Sequence, residues 1–287
     1  MVMVLLLLFY LLPCLDDNRD NGCQFNFGWT ADSVWLLSGA ARWCSPACPR
    51  HHHRPCSPHE PLVLAQPVLI LGGFLITDEA YQPMCSWLRQ QTQQAVELVP
   101  ASRFDWLLTS WSFGWRRLLD RVAAQAEALA AQSATGKVTL IGHSSGGVML
   151  RLFLADDLFA GRRYNGRQWA NRLYTLGSPH TAVRATPLRQ MVDRRYPGAT
   201  FADTVHYVSV AGALRAQEGS PLSQRMAPRS YQAIAGGMDL EGDGLVPVSS
   251  ALLSGSEPLK LDGVAHGGAF GACWYGTPEV VQQWWRG

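Results

Sequence analysis

Five residues in the middle of the chain carry a pattern that suits nucleophilic catalysis. Gly142-His143-Ser144-Ser145-Gly146 fits G-x-S-x-G, in which a serine hydroxyl attacks a carbonyl carbon. That serine stands at a sharp, strained turn, and the residues two before and two after it crowd the turn. Ser144 has glycine at both positions, whereas Ser145 has His143 and Gly147. Ser144 is therefore the predicted nucleophile and Ser145 the weaker candidate, with an ordinary glycine-rich turn as the alternative.

The segments on either side of this turn have the pattern that positions a nucleophile. Residues 138–141 form a short apolar run rich in β-branched side chains, typical of a strand buried on both faces of a parallel sheet. Residues 148–157 are compatible with a helix. A strand, a glycine-flanked turn and a helix in this order are the setting of a nucleophile elbow.

The chain from residue 62 onward alternates short apolar strands with helices. Further strands are predicted at 68–71, 96–99, 173–176, 205–210 and 259–261, and further helices at 79–94, 116–132 and 278–285. Residues 230–235 fit either a strand or part of an insertion. Alternating strands and helices predict an α/β fold with a mostly parallel central sheet and helices on both faces.

Composition indicates a folded protein without a nucleic-acid partner. Hydrophobic residues make up 47% of the 287 residues, and the formal net charge is only +2, which gives no electrostatic reason to expect nucleic acid. Five of the seven cysteines fall before residue 60, so the folded part has no disulfide framework. A reducing compartment is favoured.

Residues 1–61 do not share the regular pattern and are predicted to form a separate, poorly ordered extension. Residues 2–12 are an unbroken apolar run, long enough for a signal peptide but shorter than the roughly 20 residues that span a bilayer. A signal, a short anchor and a misplaced start codon are the alternatives, so cytoplasmic and membrane-associated locations both stay open. A zinc hypothesis is weak because the candidate ligands form no C-x-x-C pair. These candidates are Cys44, Cys48, His51, His52, His53, Cys56 and His59.

Several stretches together resemble the α/β-hydrolase superfamily in its lipase and esterase branch. They are L-G-G-F at 71–74, G-H-S-S-G at 142–146, T-L-G-S-P-H at 175–180, G-D-G-L-V-P at 242–247 and V-A-H-G at 264–267. They follow the family's order of nucleophile, acid and histidine. The ending W-Y-G-T-P at 274–278 is similar to little-characterised lipase-like hydrolases of photosynthetic organisms. The resemblance covers about residues 62–287 and implies an α/β-hydrolase fold, serine chemistry and no cofactor.

The resemblance places the catalytic base in the loop between the last strand and the last helix. His266 lies in that glycine-rich loop and is the predicted base, with a solvated loop histidine as the alternative. His143 stands beside the nucleophile, where its side chain points elsewhere than a base must. His206 lies within a strand and is expected to pack, and His180 looks structural in the family's Gly-Ser/Thr-Pro-His stretch.

The acid is expected in a loop before that histidine. Asp243 lies between two glycines that let the backbone turn sharply and bring its carboxylate to the imidazole. Asp239 and Asp262 are rivals that ordinary turn chemistry would also explain, and Asp203 is a more distant candidate. Asp243 would fix the tautomer of His266 and stabilise its imidazolium form.

Two backbone N–H groups are expected to bind the tetrahedral oxyanion. One belongs to Ser145, directly after the nucleophile, and the other to Phe74, which follows Gly72 and Gly73 in the loop after the first strand. The commoner lipase pattern has histidine where this chain has Gly72, so the orientation of that loop stays open.

The stretch between the strand after the elbow and the predicted acid is longer than one strand needs. In this family such an insertion, about residues 181–240, resembles a lid. An apolar helix face ringed by arginines suits a mobile cover or attraction to anionic lipid, and an ordinary solvated helix is the equal alternative. The apolar residues are Leu188, Met191, Val192 and Tyr196, and the arginines are Arg184, Arg189, Arg194 and Arg195.

These observations predict a serine hydrolase that cleaves carboxylic esters with a lipid-like or other apolar acyl chain. Its partner would be a small-molecule or lipid ester, and a membrane surface is a further candidate; no oligomeric state is predicted. A thioesterase or acyltransferase with the same triad is one alternative. A non-catalytic member of the fold that serves in binding or as a scaffold is the other.

Overall fold

The computed structural model describes residues 65–215 and 218–287. The predictions of an N-terminal extension, a signal or anchor at residues 2–12 and a zinc-binding stretch lie outside these described residues.

Six strands form one sheet in which all neighbours run parallel, in the order β2-β1-β3-β4-β5-β6. The predicted α/β class with a mostly parallel sheet is confirmed. The strands are β1 (Val68–Leu71), β2 (Val96–Leu98), β3 (Val138–His143), β4 (Ala170–Leu176), β5 (His206–Ala213) and β6 (Glu257–Asp262).

Eight α-helices accompany these strands in the described part of the chain. They are α1 (Asp78–Thr92), α2 (Arg103–Leu108), α3 (Ser112–Gln132), α4 (Ser145–Leu154), α5 (Pro187–Arg195), α6 (Pro221–Ala235), α7 (Val248–Ala251) and α8 (Pro278–Trp284). Residues 230–235 lie inside α6, so the strand alternative for them is wrong. The helix after the elbow begins and ends three residues earlier than predicted.

Two apolar layers cover the two faces of the sheet because side chains alternate along each strand. In β1, Leu69 and Leu71 pack into the layer that holds α3 and α4, whereas Val68 and Ile70 pack into the layer of α1 and α8. All four side chains of β1 are buried, as the continuous apolar run predicts for a central parallel strand.

Local capping explains where several helices begin. Ser102 accepts a hydrogen bond from the Asp105 N–H and donates its own N–H to the Asp105 carboxylate, which forms a capping box before α2. Thr186 and Ser220 cap α5 and α6, each followed by a proline in the first turn, where no intrahelical donor is needed.

The strand order determines where a ligand would meet the sheet. The chain leaves β1 for β2 on one side and then returns to β3 on the other side, so the order reverses between β1 and β3. In open parallel sheets, ligands bind at the carboxyl ends of the strands beside such a reversal. The loop after β1 begins with Gly72, and Ser144 directly follows β3.

Candidate active site

Ser144 stands in a strained backbone conformation at the end of β3. Its φ and ψ angles are 52° and −123°, and positive φ is uncommon for a residue with a side chain. Its N–H donates to the Leu176 carbonyl at 2.9 Å, which holds the turn against β4. Ser145 is the first residue of α4, so it does not occupy the strained position. Strain that the surrounding structure maintains is typical of a functional site.

Backbone contacts explain why glycine flanks this turn on both sides. A Cβ on Gly142 would lie 2.4 Å from the Gly147 Cα, and one on Gly146 would lie 2.4 Å from the Leu71 carbonyl oxygen. Both distances are far inside van der Waals contact, and the opposing atoms belong to the backbone. The G-x-S-x-G spacing is therefore a steric requirement of this turn.

The structure brings Asp243 and His266 together in a buried hydrogen bond. His266 Nδ1 lies 2.8 Å from Asp243 Oδ2, and the side chains are 2% and 0% exposed. The other carboxylate oxygen accepts N–H bonds from Leu245 at 3.0 Å and Val246 at 2.7 Å. Because the carboxylate accepts the Nδ1 proton, His266 Nε2 is left with a free lone pair, as a general base requires.

The backbone reinforces this pairing. The His266 N–H donates to the Asp243 carbonyl at 2.8 Å, so the two loops are joined by both main chain and side chain. The Ser144 hydroxyl and the His266 imidazole are not hydrogen-bonded to each other within the described residues. In enzymes without substrate, this contact is often long and tightens only in the substrate complex.

The rival carboxylates lie elsewhere. Asp239, Asp262 and Asp203 are all exposed, and Asp262 lies 3.8 Å from the ammonium group of Lys260. None of the three has a hydrogen bond to a histidine among the contacts of the described residues. Asp243 is the carboxylate that contacts His266.

The remaining described histidines have other partners. His180 is buried, donates to Thr175 Oγ1 at 3.1 Å and accepts from Arg151 at 3.3 Å. Its pKa is held well below the ordinary value by burial and then by the positive charges of the neighbouring arginines. His206 was expected to pack, and this is wrong: its side chain is 50% exposed and lies 3.1 Å from the Glu257 carboxylate.

Two backbone N–H groups beside Ser144 have no protein acceptor in the described part of the chain. They belong to Phe74 and Ser145, the residues that the sequence predicts for the oxyanion site. A Cβ on Gly73 would lie 3.0 Å from the Ser144 Cβ. The backbone of the loop after β1 therefore passes close to the nucleophile. The Phe74 ring meets Trp106 edge-on with centroids 6.4 Å apart, which anchors this loop to α2.

Sequence reasoning missed three tyrosines that contact the site. Tyr275 donates to Asp243 Oδ2 at 2.8 Å, the same oxygen that His266 contacts. The Tyr231 hydroxyl accepts the Gly244 N–H at 2.8 Å in the turn that carries the acid. The Tyr81 hydroxyl lies 2.8 Å from His143. Tyr275 falls within the W-Y-G-T-P ending, which was a usable signal, whereas Tyr81 and Tyr231 lie in helices without any motif.

The insertion after β4 divides into two helices with different surroundings. The apolar face of α5 packs into the core, where Val192 and Tyr196 are buried, and Arg189 is buried as well rather than lying on the surface around that face. In α6, the Ser230 hydroxyl donates to the Leu245 carbonyl at 2.5 Å. The helix α6 therefore contacts the turn that carries Asp243, and the lid assignment stays a prediction.

An open cleft of about 550 Å³ lies next to the loop after β1. Seven of its ten lining residues are charged or polar, including Asp78, Glu79 and Arg103. Ser144 and His266 do not line it, so the cleft does not identify a site for an acyl chain.

Neither a metal cluster nor a membrane-spanning helix is found in the described segments. No group of three or more His, Cys, Asp or Glu side chains there could hold a metal ion. No helix among the same residues is long and apolar enough to cross a membrane.

The sheet order, the elbow at Ser144 and the loops after β1 and β6 define an α/β-hydrolase fold. No family model matches the chain, and no curated protein matches it.

Solved structures are similar at low sequence identity. The phospholipase PlaB from Legionella pneumophila, in complex with thio-NAD, is 15% identical with a TM-score of 0.44, over 65% of this chain and 44% of that one. The lin2722 gene product of Listeria innocua is 14% identical with a TM-score of 0.38, over 69% and 83%. The thioesterase RedJ from the prodiginine pathway of Streptomyces coelicolor is 16% identical with a TM-score of 0.32, over 74% and 87%. This chain spans less than half of the phospholipase, and likenesses this distant carry no argument about substrate.

Proposed function

We propose that the protein is a serine hydrolase that cleaves carboxylic esters through an acyl-enzyme. The observation that carries this proposal is the buried Asp243–His266 hydrogen bond of 2.8 Å at the edge of the sheet where Ser144 occupies a strained elbow. A buried carboxylate is expensive unless it is hydrogen-bonded, and Asp243 accepts four hydrogen bonds, including one from the imidazole. This set of hydrogen bonds suits the acid–histidine pair of a catalytic triad.

Each group has a defined role in this proposal. Ser144 Oγ attacks the ester carbonyl carbon while His266 Nε2 takes the hydroxyl proton, and that proton then passes to the departing alcohol. The N–H groups of Phe74 and Ser145 stabilise the oxyanion of the tetrahedral intermediate. Water, deprotonated by His266, then attacks the acyl carbon; the bond from that carbon to Ser144 Oγ breaks, His266 returns the proton to Oγ, and the acid leaves. Asp243 keeps the Nδ1 proton in place throughout.

Apolar acyl esters are the proposed substrate class. Several large apolar side chains are exposed on the segments that follow the carboxyl ends of the strands, the edge that carries the candidate site. They are Val183, Leu222, Met238 and Leu240, at 40 to 68% exposed. Exposed apolar side chains on these segments support contact with an acyl chain or a lipid aggregate rather than with a strongly charged substrate.

Labelling with a fluorophosphonate probe tests the proposal without knowledge of the substrate. Wild type should label, and Ser144→Ala and His266→Ala should lose nearly all labelling because members of a triad act as a unit. His206→Ala is the matched control, since it removes a histidine that is exposed on β5, and it should label like wild type. Labelling that persists in Ser144→Ala would contradict the assigned nucleophile. A folded wild type that does not label would favour a non-catalytic role.

A substrate series then tests the ester assignment. Hydrolysis of p-nitrophenyl esters should rise from short to medium acyl chains, and the matched acyl thioesters should be poorer substrates. Faster turnover of the thioesters would favour the thioesterase alternative. If the acyl group passes to an added alcohol rather than to water, the acyltransferase alternative is favoured.

A further inference from the structure

A buried chain of hydrogen bonds joins the oxyanion loop to the loop that carries the base. The Gly73 N–H donates to the Tyr81 hydroxyl at 2.7 Å, and that hydroxyl lies 2.8 Å from His143 Nδ1. His143 Nε2 in turn lies 2.9 Å from the His266 carbonyl oxygen. Tyr81 belongs to α1, so this helix, the elbow and the last loop all contribute to the chain.

The partners fix the direction of every hydrogen bond. A carbonyl oxygen can only accept a hydrogen bond, so His143 Nε2 carries a proton and its N–H donates to the His266 carbonyl oxygen. Burial and the neighbouring His266 hold the pKa of His143 well below its ordinary value, which keeps the ring neutral and leaves Nδ1 as an acceptor. The Tyr81 O–H therefore donates to Nδ1, and its oxygen accepts the Gly73 N–H. Each group satisfies its neighbour, which makes the chain specific for one geometry.

Close packing surrounds this chain. The His143 and His266 rings have centroids 4.9 Å apart, and Trp274 packs against His143 at 5.7 Å. A Cβ on Gly73 would lie 3.1 Å from His143 Nδ1 and 3.0 Å from the Ser144 Cβ. The oxyanion loop therefore has little room to move relative to the nucleophile while the chain is intact.

We propose that Tyr81 and His143 are positioning residues that hold the Phe74 N–H and the His266 imidazole at a fixed separation across Ser144. This inference rests on the proposed ester hydrolase function and deepens it. Neither residue touches the reacting atoms. Tyr81 fixes Gly73, the residue before Phe74, and His143 fixes the backbone of His266, so a shift of one loop is passed to the other. Catalysis depends on such preorganised donors because they are not reorganised during the reaction.

Steady-state kinetics of Tyr81→Phe test this inference on a short, soluble ester. Removing an oxyanion donor outright costs about 100- to 1,000-fold in kcat, and loosening its loop should cost about 10- to 100-fold. KM should stay within about two-fold, and affinity for a trifluoromethyl ketone should fall in parallel with kcat/KM, because the loss is confined to the transition state. Tyr174→Phe is the matched control: it removes a buried hydroxyl on β4 that accepts the Arg286 N–H, and kcat should not change.

A second pair of variants separates positioning from simple packing. His143→Gln keeps an N–H donor within reach of the His266 carbonyl, whereas His143→Leu does not, so the glutamine variant should recover part of kcat. Tyr81→Phe combined with His143→Leu should be no slower than the worse single variant, because both interrupt one chain.

Three results would overturn the inference. The first is a kcat of Tyr81→Phe equal to that of wild type. The second is a double variant whose loss in kcat is the product of the two single losses. The third is activity that returns fully at low temperature, where a destabilised fold recovers. A wild type that neither labels nor hydrolyses any ester would instead show that the proposed function is wrong, and the inference with it.

Discussion

Replacing Tyr275 with phenylalanine is expected to move the acid limb of the pH–activity profile to higher pH. The Tyr275 O–H donates to Asp243 Oδ2 at 2.8 Å, and His266 Nδ1 contacts the same oxygen. Burial, and then the negative charge of Asp243, raise the pKa of Tyr275 well above its ordinary value, so the hydroxyl stays protonated and donates at all working pH values. Without this donor, the carboxylate stabilises the imidazolium form of His266 more strongly. Since only unprotonated His266 is a base, activity is lost sooner as the pH falls.

The general strength of a hydrogen bond to a charged group gives the size of this effect. A hydrogen bond to a charged group contributes about 1.5–3 kcal/mol. If about half of this contribution distinguishes imidazolium from imidazole, the difference is about 0.75–1.5 kcal/mol, which corresponds to about 0.5–1.1 pH units. The variant also leaves the buried Gly212 N–H, now 2.7 Å from the Tyr275 oxygen, without its acceptor. The free energy of unfolding should therefore fall by about 2–4 kcal/mol.

The assay is kcat/KM for a short, soluble ester between pH 4.5 and 9, with urea unfolding of the same samples. Tyr174→Phe is again the control, because its hydroxyl contacts the Arg286 N–H and not the carboxylate. An acid limb that stays in place, or that moves to lower pH, would refute the reasoning even if stability falls as expected.

Two further predictions concern the acid and the buried histidines. In Asp243→Asn, the N–H groups of Leu245 and Val246 should retain the amide oxygen, so the amide nitrogen faces His266 Nδ1 and enforces the wrong tautomer. Single-turnover rates should fall by about 1,000- to 10,000-fold, and a loss in substrate binding alone would argue against this role. Burial lowers the pKa of His143 and His180 well below 6.5, so they bind protons on unfolding. Below about pH 6.5 the unfolding free energy should fall by up to about 1.4 kcal/mol per pH unit for each histidine, and His180→Gln should reduce that slope in urea titrations. A free energy that is flat or rises on acidification would contradict this.

The parts of the fold that depend on local chemistry could be predicted from the sequence. Gly142 is such a case, since a Cβ there would meet Gly147, which is five residues later in the chain; the steric requirement at Gly146 comes instead from Leu71 of β1. The two alternatives for residues 230–235, a strand or part of an insertion, could also be separated locally. Tyr231 and Ile234 are the buried residues at that end of α6, and their spacing of three is helical, which speaks against the strand.

Features that depend on long-range contacts could not be predicted. Tyr81 precedes His143 by 62 residues, and no periodicity links the two. His206 is the exposed first residue of β5, and its partner Glu257 lies 51 residues later, in β6. The buried position of Arg189 likewise follows from how α5 packs, since its guanidinium donates to the Pro179 carbonyl at 2.9 Å.

The tyrosines also explain why the candidate site is so rich in glycine. Three buried tyrosine hydroxyls each accept a glycine N–H: Tyr81 from Gly73, Tyr231 from Gly244 and Tyr275 from Gly212 in β5. Beside each ring lies a second glycine, where a Cβ would meet that tyrosine. A Cβ on Gly72 would lie 2.9 Å from the Tyr81 ring, and one on Gly177 would lie 2.7 Å from the Tyr275 ring. At Gly242 it would lie 2.5 Å from the Tyr231 hydroxyl. These glycines therefore permit close approach of a ring to the backbone rather than motion. A tyrosine hydroxyl at that distance can fix a loop N–H, and the loops that carry Phe74 and Asp243 are held in this way.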